Sequence, residues 1–191
     1  SHKEIFICAH SLGCLLSLEQ AVHDPRITKL FLLAVPLTLF LKPKMLRNCA
    51  RVYFDTIDPE NEELMAAKAC YGIAQDKNLF HYLGWIPRYL ELFAQMGRVR
   101  KLLPQLQTPA EAWQSRKDEM VARRSALLLR ENPHIRVNEL PNSGHYYYEK
   151  SGEVVPICDE PVACYGDNPS GFYFVKKAEP NKIYSAPLTN L

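Results

Sequence analysis

The chain has 191 residues, 47% of them hydrophobic and 23% charged, a balance that predicts a globular protein with one sizeable core. Its formal net charge of +2 argues against general electrostatic binding to nucleic acid, which needs a concentrated basic face. The longest apolar stretch, from Leu30 to Leu41, is broken by Pro36 and Thr38. It is too short to span a bilayer, which needs about 20 apolar residues.

Six cysteines are scattered through the sequence: Cys8, Cys14, Cys49, Cys70, Cys158 and Cys164. They form no C-x-x-C pair and have no histidine at zinc-finger spacing, so we expect neither a structural zinc site nor another cofactor. Unpaired cysteines are typical of a reducing compartment and favour a cytoplasmic location, although the last two are able to pair. No signal peptide is visible, an observation that carries weight only if Ser1 is the native start.

The first region, residues 1–57, is predicted to form a strand, a helix and a second strand. Residues 4–9 and 27–35 are continuous apolar runs, typical of strands buried on both faces of a parallel sheet. Residues 12–22 carry an apolar stripe at helical spacing, and the helix is expected to end before Pro25. This order predicts a βαβ unit.

The second region, residues 58–107, is predicted to be helical. The tripeptide Asp58-Pro59-Glu60 resembles an N-cap followed by a first turn, and it predicts a helix that runs to residue 71. Two more helices are expected over 76–83 and 87–103. The region is rich in aromatic residues and interrupts the alternation of strands and helices, as an inserted helical cap would.

The alternation resumes in the third region, residues 108–150. Strands are expected over 110–115 and 135–140, with a helix over 122–130 between them. The fourth region, residues 151–191, contains many prolines and no helical period, so we expect an irregular tail with at most one hairpin. The order of elements predicts an α/β fold with a mostly parallel sheet flanked by helices.

Ser11 lies in the pentapeptide Ala9-His10-Ser11-Leu12-Gly13, between the first predicted strand and helix. A serine hydroxyl acts as a nucleophile only with a general base, a group that orients the base, and donors for an oxyanion. A tight strand-to-helix turn lifts the side chain off the sheet and points free helix N–H groups at developing negative charge. Such a turn needs small residues two positions before and after the serine, as Ala9 and Gly13 are. The alternative is an ordinary turn without chemistry.

Asp118 and His145 each follow a predicted strand of the third region. The carboxyl ends of parallel strands meet at one edge of the sheet, where ligand sites of open α/β folds lie. Taken singly, Asp118 would be a surface carboxylate and His145 a loop histidine. Three such residues at strand ends, in the order serine, acid and histidine, favour a hydrolytic site instead. Glu119 is the rival to Asp118 for the acid.

On these residues the chain resembles the C-terminal portion of an α/β-hydrolase, of the capped serine esterase, lipase and peptidase-like kind. The pentapeptide around Ser11 resembles the nucleophile-elbow motif G-x-S-x-G, with alanine in place of the first glycine. Residues 115–121 resemble the acid motif G-x-x-D-x-x-V, and Gly144-His145 matches the glycine that usually precedes the family's histidine. The resemblance covers roughly residues 3–148.

The resemblance implies a Ser-His-Asp mechanism through an acyl-enzyme. Ser11 would be the nucleophile, His145 the general base and then acid, and Asp118 the group that fixes the histidine tautomer. The resemblance also implies the Leu12 N–H as an oxyanion donor. His10 is expected to pack beside the site rather than to act as a second base. Four side chains are candidates for the wall of a pocket for a small acyl substrate, with packing between cap helices as the alternative: His10, Tyr82, Trp85 and Tyr89.

The sequence also departs from the family pattern. In the family, four or more strands precede the elbow, and a loop after an early strand supplies a second oxyanion donor. The family usually also packs a closing helix after the histidine. We therefore expect either a fragment or a partner chain that supplies the first half and pairs with the edge strand near Ile5 and Ile7. The expected function is hydrolysis of carboxylic esters, and the alternative is a non-catalytic binding or interaction module of the same fold.

Overall fold

Four parallel strands form one sheet in the computed structural model, which describes residues 3–40, 42–61, 64–65, 68 and 78–145. The strands are β1 (Ile5–His10), β2 (Ile27–Leu33), β3 (Ala110–Ser115) and β4 (Ile135–Leu140), and their order across the sheet is β1-β2-β3-β4. Every neighbouring pair is parallel. The prediction of an α/β fold with a parallel sheet is confirmed.

Helices connect and flank these strands. Four α-helices lie wholly within the described residues: α1 (Leu12–His23), α2 (Pro43–Tyr53), α3 (Ile86–Leu102) and α4 (Arg124–Arg130). Two 3-10 helices, Leu79–Trp85 and Leu103–Gln105, lie immediately before and after α3. Within the described residues, no helix is long and apolar enough to cross a membrane.

The register of the strands brings their carboxyl ends to one edge. His10 at the end of β1 pairs with Leu33 at the end of β2, and Leu33 pairs in turn with Trp113 of β3. Ser115 ends β3 opposite Leu140, which ends β4. The segments that follow the four strands therefore start from neighbouring points, and three of them carry the residues singled out in the sequence.

The main core lies between one face of the sheet and the helices α1, α3 and α4. Its side chains are almost wholly apolar because each strand offers alternate residues to this face and each helix offers one stripe. The side chains with the least exposure include Leu15, Leu30, Leu32, Leu106 and Leu129. Burial of one such leucine contributes about 1.5–3 kcal/mol, so this layer fixes the sheet edge on which the site depends.

Two predicted boundaries differ from the structure. The second strand was expected to reach Val35 but ends at Leu33, because Ala34 has a φ of 53° and leaves the extended conformation. The third-region helix begins at Arg124 rather than at Ala122. Ala122 instead donates its backbone N–H to the carbonyl of Thr38, at 3.0 Å.

The predicted helix start at Asp58 is also displaced. Asp58 accepts the backbone N–H of Glu60 at 3.0 Å, which makes a local turn, and residues 59 and 60 are in turn conformation. Asn61 provides the capping geometry instead, since its side-chain oxygen accepts the N–H of Leu64 at 3.0 Å. Residues 64, 65 and 68 are helical, and most of the predicted helix lies outside the described residues.

Helix α2 was not predicted. Pro43 occupies its first turn after an extended Lys42, an arrangement that starts many helices. The helix expected over 76–83 is a 3-10 helix over Leu79–Trp85, and the one expected over 87–103 is α3. Cys70, the predicted hairpin and the two cysteines proposed as able to pair, Cys158 and Cys164, lie outside the described residues.

Candidate active site

Ser11 forms the turn between β1 and α1. Its backbone has φ 52° and ψ −121°, a region that residues with a side chain rarely adopt. Its N–H donates to the carbonyl of Leu33 at 2.9 Å, which ties the turn to the neighbouring strand. Ser11 occupies the N-cap position of α1, yet its hydroxyl makes no capping bond to the helix and is directed elsewhere.

The turn brings β1 and α1 close together, as the sequence predicted. A methyl group placed on Gly13 would lie 3.7 Å from the Cβ of Ala9, which is ordinary van der Waals contact. The space at position 13 thus takes a methyl group. The requirement for small residues at positions 9 and 13 stays a prediction.

The hydroxyl of Ser11 meets the ring of His145, although 134 positions separate the two residues. The Oγ of Ser11 lies 3.1 Å from Nε2 of His145. The opposite ring nitrogen, Nδ1, lies 2.8 Å from Oδ2 of Asp118. Because a carboxylate only accepts hydrogen bonds, Nδ1 donates its N–H to Asp118, and Nε2 is the acceptor for the serine hydroxyl.

The carboxyl group of Asp118 is buried and held on both oxygens. Oδ2 faces the ring of His145, while Oδ1 accepts the backbone N–H groups of Met120 and Val121 at 2.8 and 2.7 Å. Asp118 is 1% exposed, so these bonds replace the solvation that it loses. Two amide donors on one oxygen leave the other oxygen aimed at the imidazole.

The loop that carries Asp118 is fixed by the segment after β2. Leu39 and Val121 form an antiparallel bridge, and Phe40 donates its N–H to the carbonyl of Met120 at 2.9 Å. The ammonium group of Lys42 donates to the backbone carbonyl of Asp118 itself. Contacts from a segment distant in sequence thus set the position of the acid.

His10, expected to pack beside the site, contacts the backbone of His145. Its Nε2–H donates to the carbonyl of His145 at 3.0 Å, and the two ring centroids are 5.1 Å apart. Burial lowers the pKa of His10 to about 4, and the nearby imidazole of His145 contributes in the same direction. His10 is therefore neutral near pH 7.

Glu119 contacts the backbone of His145, whereas Asp118 contacts its ring. Its Oε2 accepts the backbone N–H of His145 at 3.2 Å, and the residue is only 6% exposed. The imidazole faces Asp118 rather than Glu119, the rival for the acid position. The sequence held no signal for this backbone contact beyond the adjacency of Glu119 to Asp118.

Leu12, the expected oxyanion donor, is the first residue of α1. The first N–H groups of a helix have no partner within it, and the Leu12 amide follows Ser11 directly. Its side chain is half exposed. The N–H of Leu12 is thus the first amide of α1 and lies next to Ser11.

The aromatic candidates lie in the segment of the Leu79–Trp85 helix and the start of α3. Trp85 and Tyr89 are exposed, Tyr82 is half-buried, and the rings of Tyr82 and Trp85 meet edge to face with centroids 5.0 Å apart. Their assignment as a pocket wall stays a prediction. In the described part of the chain, no group of three or more His, Cys, Asp or Glu side chains is arranged to hold a metal ion.

Comparison with solved structures identifies the fold. A 2-hydroxy-6-oxo-6-phenylhexa-2,4-dienoate hydrolase from Rhodococcus sp. strain RHA1 matches 76% of this chain at 20% identity, with a TM-score of 0.50. A monoacylglycerol lipase from Paleococcus ferrophilus matches 75% at 18% identity, with a TM-score of 0.45. The chain spans 58% and 60% of these two structures. No protein-family model and no curated protein matches the sequence.

Proposed function

The described part of the chain has an α/β-hydrolase-like fold, and we propose that the chain is a serine hydrolase that cleaves carboxylic esters through an acyl-enzyme. The observation that carries the proposal is the hydrogen-bonded series Ser11 Oγ, His145 Nε2, His145 Nδ1 and Asp118 Oδ2, at 3.1 and 2.8 Å. A nucleophile hydrogen-bonded to a base that a third group orients is the arrangement that acyl transfer requires.

In the proposed acylation, the Ser11 oxygen attacks the carbonyl carbon of the ester while its proton passes to Nε2 of His145. The carboxylate of Asp118 stabilises the imidazolium that forms and does not itself take up the proton. The Leu12 N–H donates to the oxyanion of the tetrahedral intermediate. Collapse of this intermediate breaks the bond to the leaving alcohol, which receives the proton from Nε2.

Deacylation repeats these steps with water. His145 removes a proton from the water as it attacks the acyl carbon, and the same proton returns to the Ser11 oxygen when the acid product leaves. Thioesters, amides and short peptides suit this machinery as well, since they share the electrophilic carbonyl. Tyr82, Trp85 and Tyr89 are proposed to border the acyl group, because several large apolar side chains between residues 80 and 93 are exposed.

A series of p-nitrophenyl acyl esters tests the proposal on the full chain. We expect release of p-nitrophenol by the parent protein and its loss in Ser11→Ala, with labelling of Ser11 by a fluorophosphonate probe. Ser17→Ala is the matched control: Ser17 lies in α1 and donates to the carbonyl of Gly13, away from the imidazole. It should retain turnover and labelling.

Turnover that survives in purified Ser11→Ala would defeat the assignment of the nucleophile. A parent chain that is folded by circular dichroism, yet neither turns over the esters nor reacts with the probe, would favour the non-catalytic interaction module.

A further inference from the structure

Two side chains form hydrogen bonds with the backbone of His145. Its N–H donates to Oε2 of Glu119 at 3.2 Å, and its carbonyl accepts Nε2–H of His10 at 3.0 Å. His145 is 1% exposed and lies beyond the end of β4. A buried backbone group that loses a hydrogen-bond partner destabilises the surrounding fold, so both contacts matter to the loop.

The two side chains come from particular places. His10 immediately precedes Ser11, and Glu119 immediately follows Asp118. Ser11 and Asp118 contact the imidazole of His145. The residues next to them in the chain, His10 and Glu119, contact the backbone of His145. The ring of His145 is positioned from both ends: its nitrogens contact Ser11 and Asp118, and its backbone contacts His10 and Glu119.

The chemistry of each contact suits its partner. A backbone carbonyl needs a donor, and the neutral imidazole of His10 supplies one N–H without placing a cation beside the ring of His145. A backbone N–H needs an acceptor, and the side chain of Glu119 supplies an oxygen. Leucine or phenylalanine at position 10 would remove the hydrogen bond to the carbonyl of His145, and alanine at position 119 would remove the one to its N–H.

We propose that His10 and Glu119 are positioning residues that hold the backbone of His145 so that its Nε2 faces the hydroxyl of Ser11. The effect on turnover rests on the proposed serine-hydrolase function, whereas the effect on the ring itself does not. A displacement of about 1 Å at a reacting group lowers the rate about 100-fold, which sets the scale of the expected loss.

Four variants test whether the hydrogen bonds of His10 and Glu119, rather than the charge or size of these side chains, position His145. His10→Gln and Glu119→Gln keep a donor and an acceptor at the same places, while His10→Leu and Glu119→Ala remove them. We expect kcat on a p-nitrophenyl ester to fall about 10- to 100-fold in the two removing variants, with KM changed less than about threefold. The two glutamine variants should recover most of this loss.

The controls are His134→Leu and Glu131→Ala, which remove the same side chains at exposed positions outside the site. Both should keep the parent kcat. Rates are divided by the fraction of chain that reacts with the fluorophosphonate probe, so that misfolded protein does not count as slow enzyme.

A second readout does not depend on hydrolysis. The proton on Nδ1 of His145, hydrogen-bonded to Asp118, should give a downfield nuclear magnetic resonance signal that His145→Ala lacks. We expect this signal to broaden through exchange with water in His10→Leu and Glu119→Ala and to stay sharp in the glutamine variants. An unchanged signal and unchanged kcat in both removing variants would overturn the inference, whatever the result for Ser11→Ala. If the parent chain shows no turnover but the Nδ1 proton signal of His145 broadens in the two removing variants, the positioning role stands and the proposed hydrolase function is refuted.

Discussion

Ser11 and Ala34 follow the adjacent strands β1 and β2, and both have positive φ, 52° and 53°. The two turns are linked, because Ser11 donates its N–H to Leu33, the residue before Ala34. Ala34 donates its own N–H to the carbonyl of Trp113 in β3, at 2.9 Å. The backbone is thus strained at the ends of both β1 and β2, and backbone hydrogen bonds among β1, β2 and β3 maintain these two conformations.

This geometry predicts a strong dependence of stability on the side chain at position 34. Ala34→Val should lower the free energy of unfolding by about 2–4 kcal/mol, because a β-branched residue disfavours positive φ and the site is fully buried. Ala34→Gly tolerates this φ and should stay within about 1 kcal/mol of the parent. Urea unfolding followed by circular dichroism measures both, and equal losses would contradict strain at this position.

Substitution of Asp118 tests the orientation of the imidazole. In Asp118→Asn the new amide nitrogen can face Nδ1 of His145 as a donor, so the ring proton moves to Nε2 and Ser11 loses its acceptor. We expect kcat on a p-nitrophenyl ester to fall about 10⁴-fold, as in other enzymes in which the triad acid is replaced by its amide. Asp24→Asn, which weakens an ion pair with Arg26 at the far end of α1, is the control and should keep full activity. A loss below tenfold in Asp118→Asn would exclude Asp118 as the acid.

The pKa of His10 predicts how stability changes with pH. Its pKa is 6.5 in the unfolded chain and about 4 in the folded protein, so the unfolded state binds more protons between these values. The free energy of unfolding should therefore be unaffected by His10 titration above pH 6.5. As the pH falls towards 4, protonation of His10 should lower it by up to about 3 kcal/mol. His145 and Asp118 face the same ring and act in opposite directions on its pKa.

His10→Gln isolates this contribution, because glutamine donates to the carbonyl of His145 without titrating. The difference in unfolding free energy between parent and variant should shrink or reverse as the pH falls from 7 to 4.5. Parallel pH profiles for the two proteins would show that His10 titrates normally in the folded state.

The residues of the candidate site could be predicted from sequence better than the contacts that position them. Short motifs after apolar runs made Ser11, Asp118 and His145 candidates, and the parallel strands bring these three side chains together at one edge. Helix α2 was missed although Pro43 marks its start. The backbone contact of Glu119 with His145 spans 26 positions and follows no local pattern, so only the folded chain reveals it.

Cys14 offers a test of the packing beneath the Ser11 turn. Its thiol is fully buried in α1, within 3.2 Å of the carbonyls of Ala9 and Leu33, and burial raises its pKa well above the ordinary value for a thiol. We expect Cys14 to resist iodoacetamide at pH 8 in the native protein and to react once urea unfolds it. Cys49, which is only partly buried in α2, serves as the internal comparison and should react earlier. Peptide mass spectrometry assigns each site, and equal native labelling of Cys14 and Cys49 would show that α1 does not close over the ends of β1 and β2.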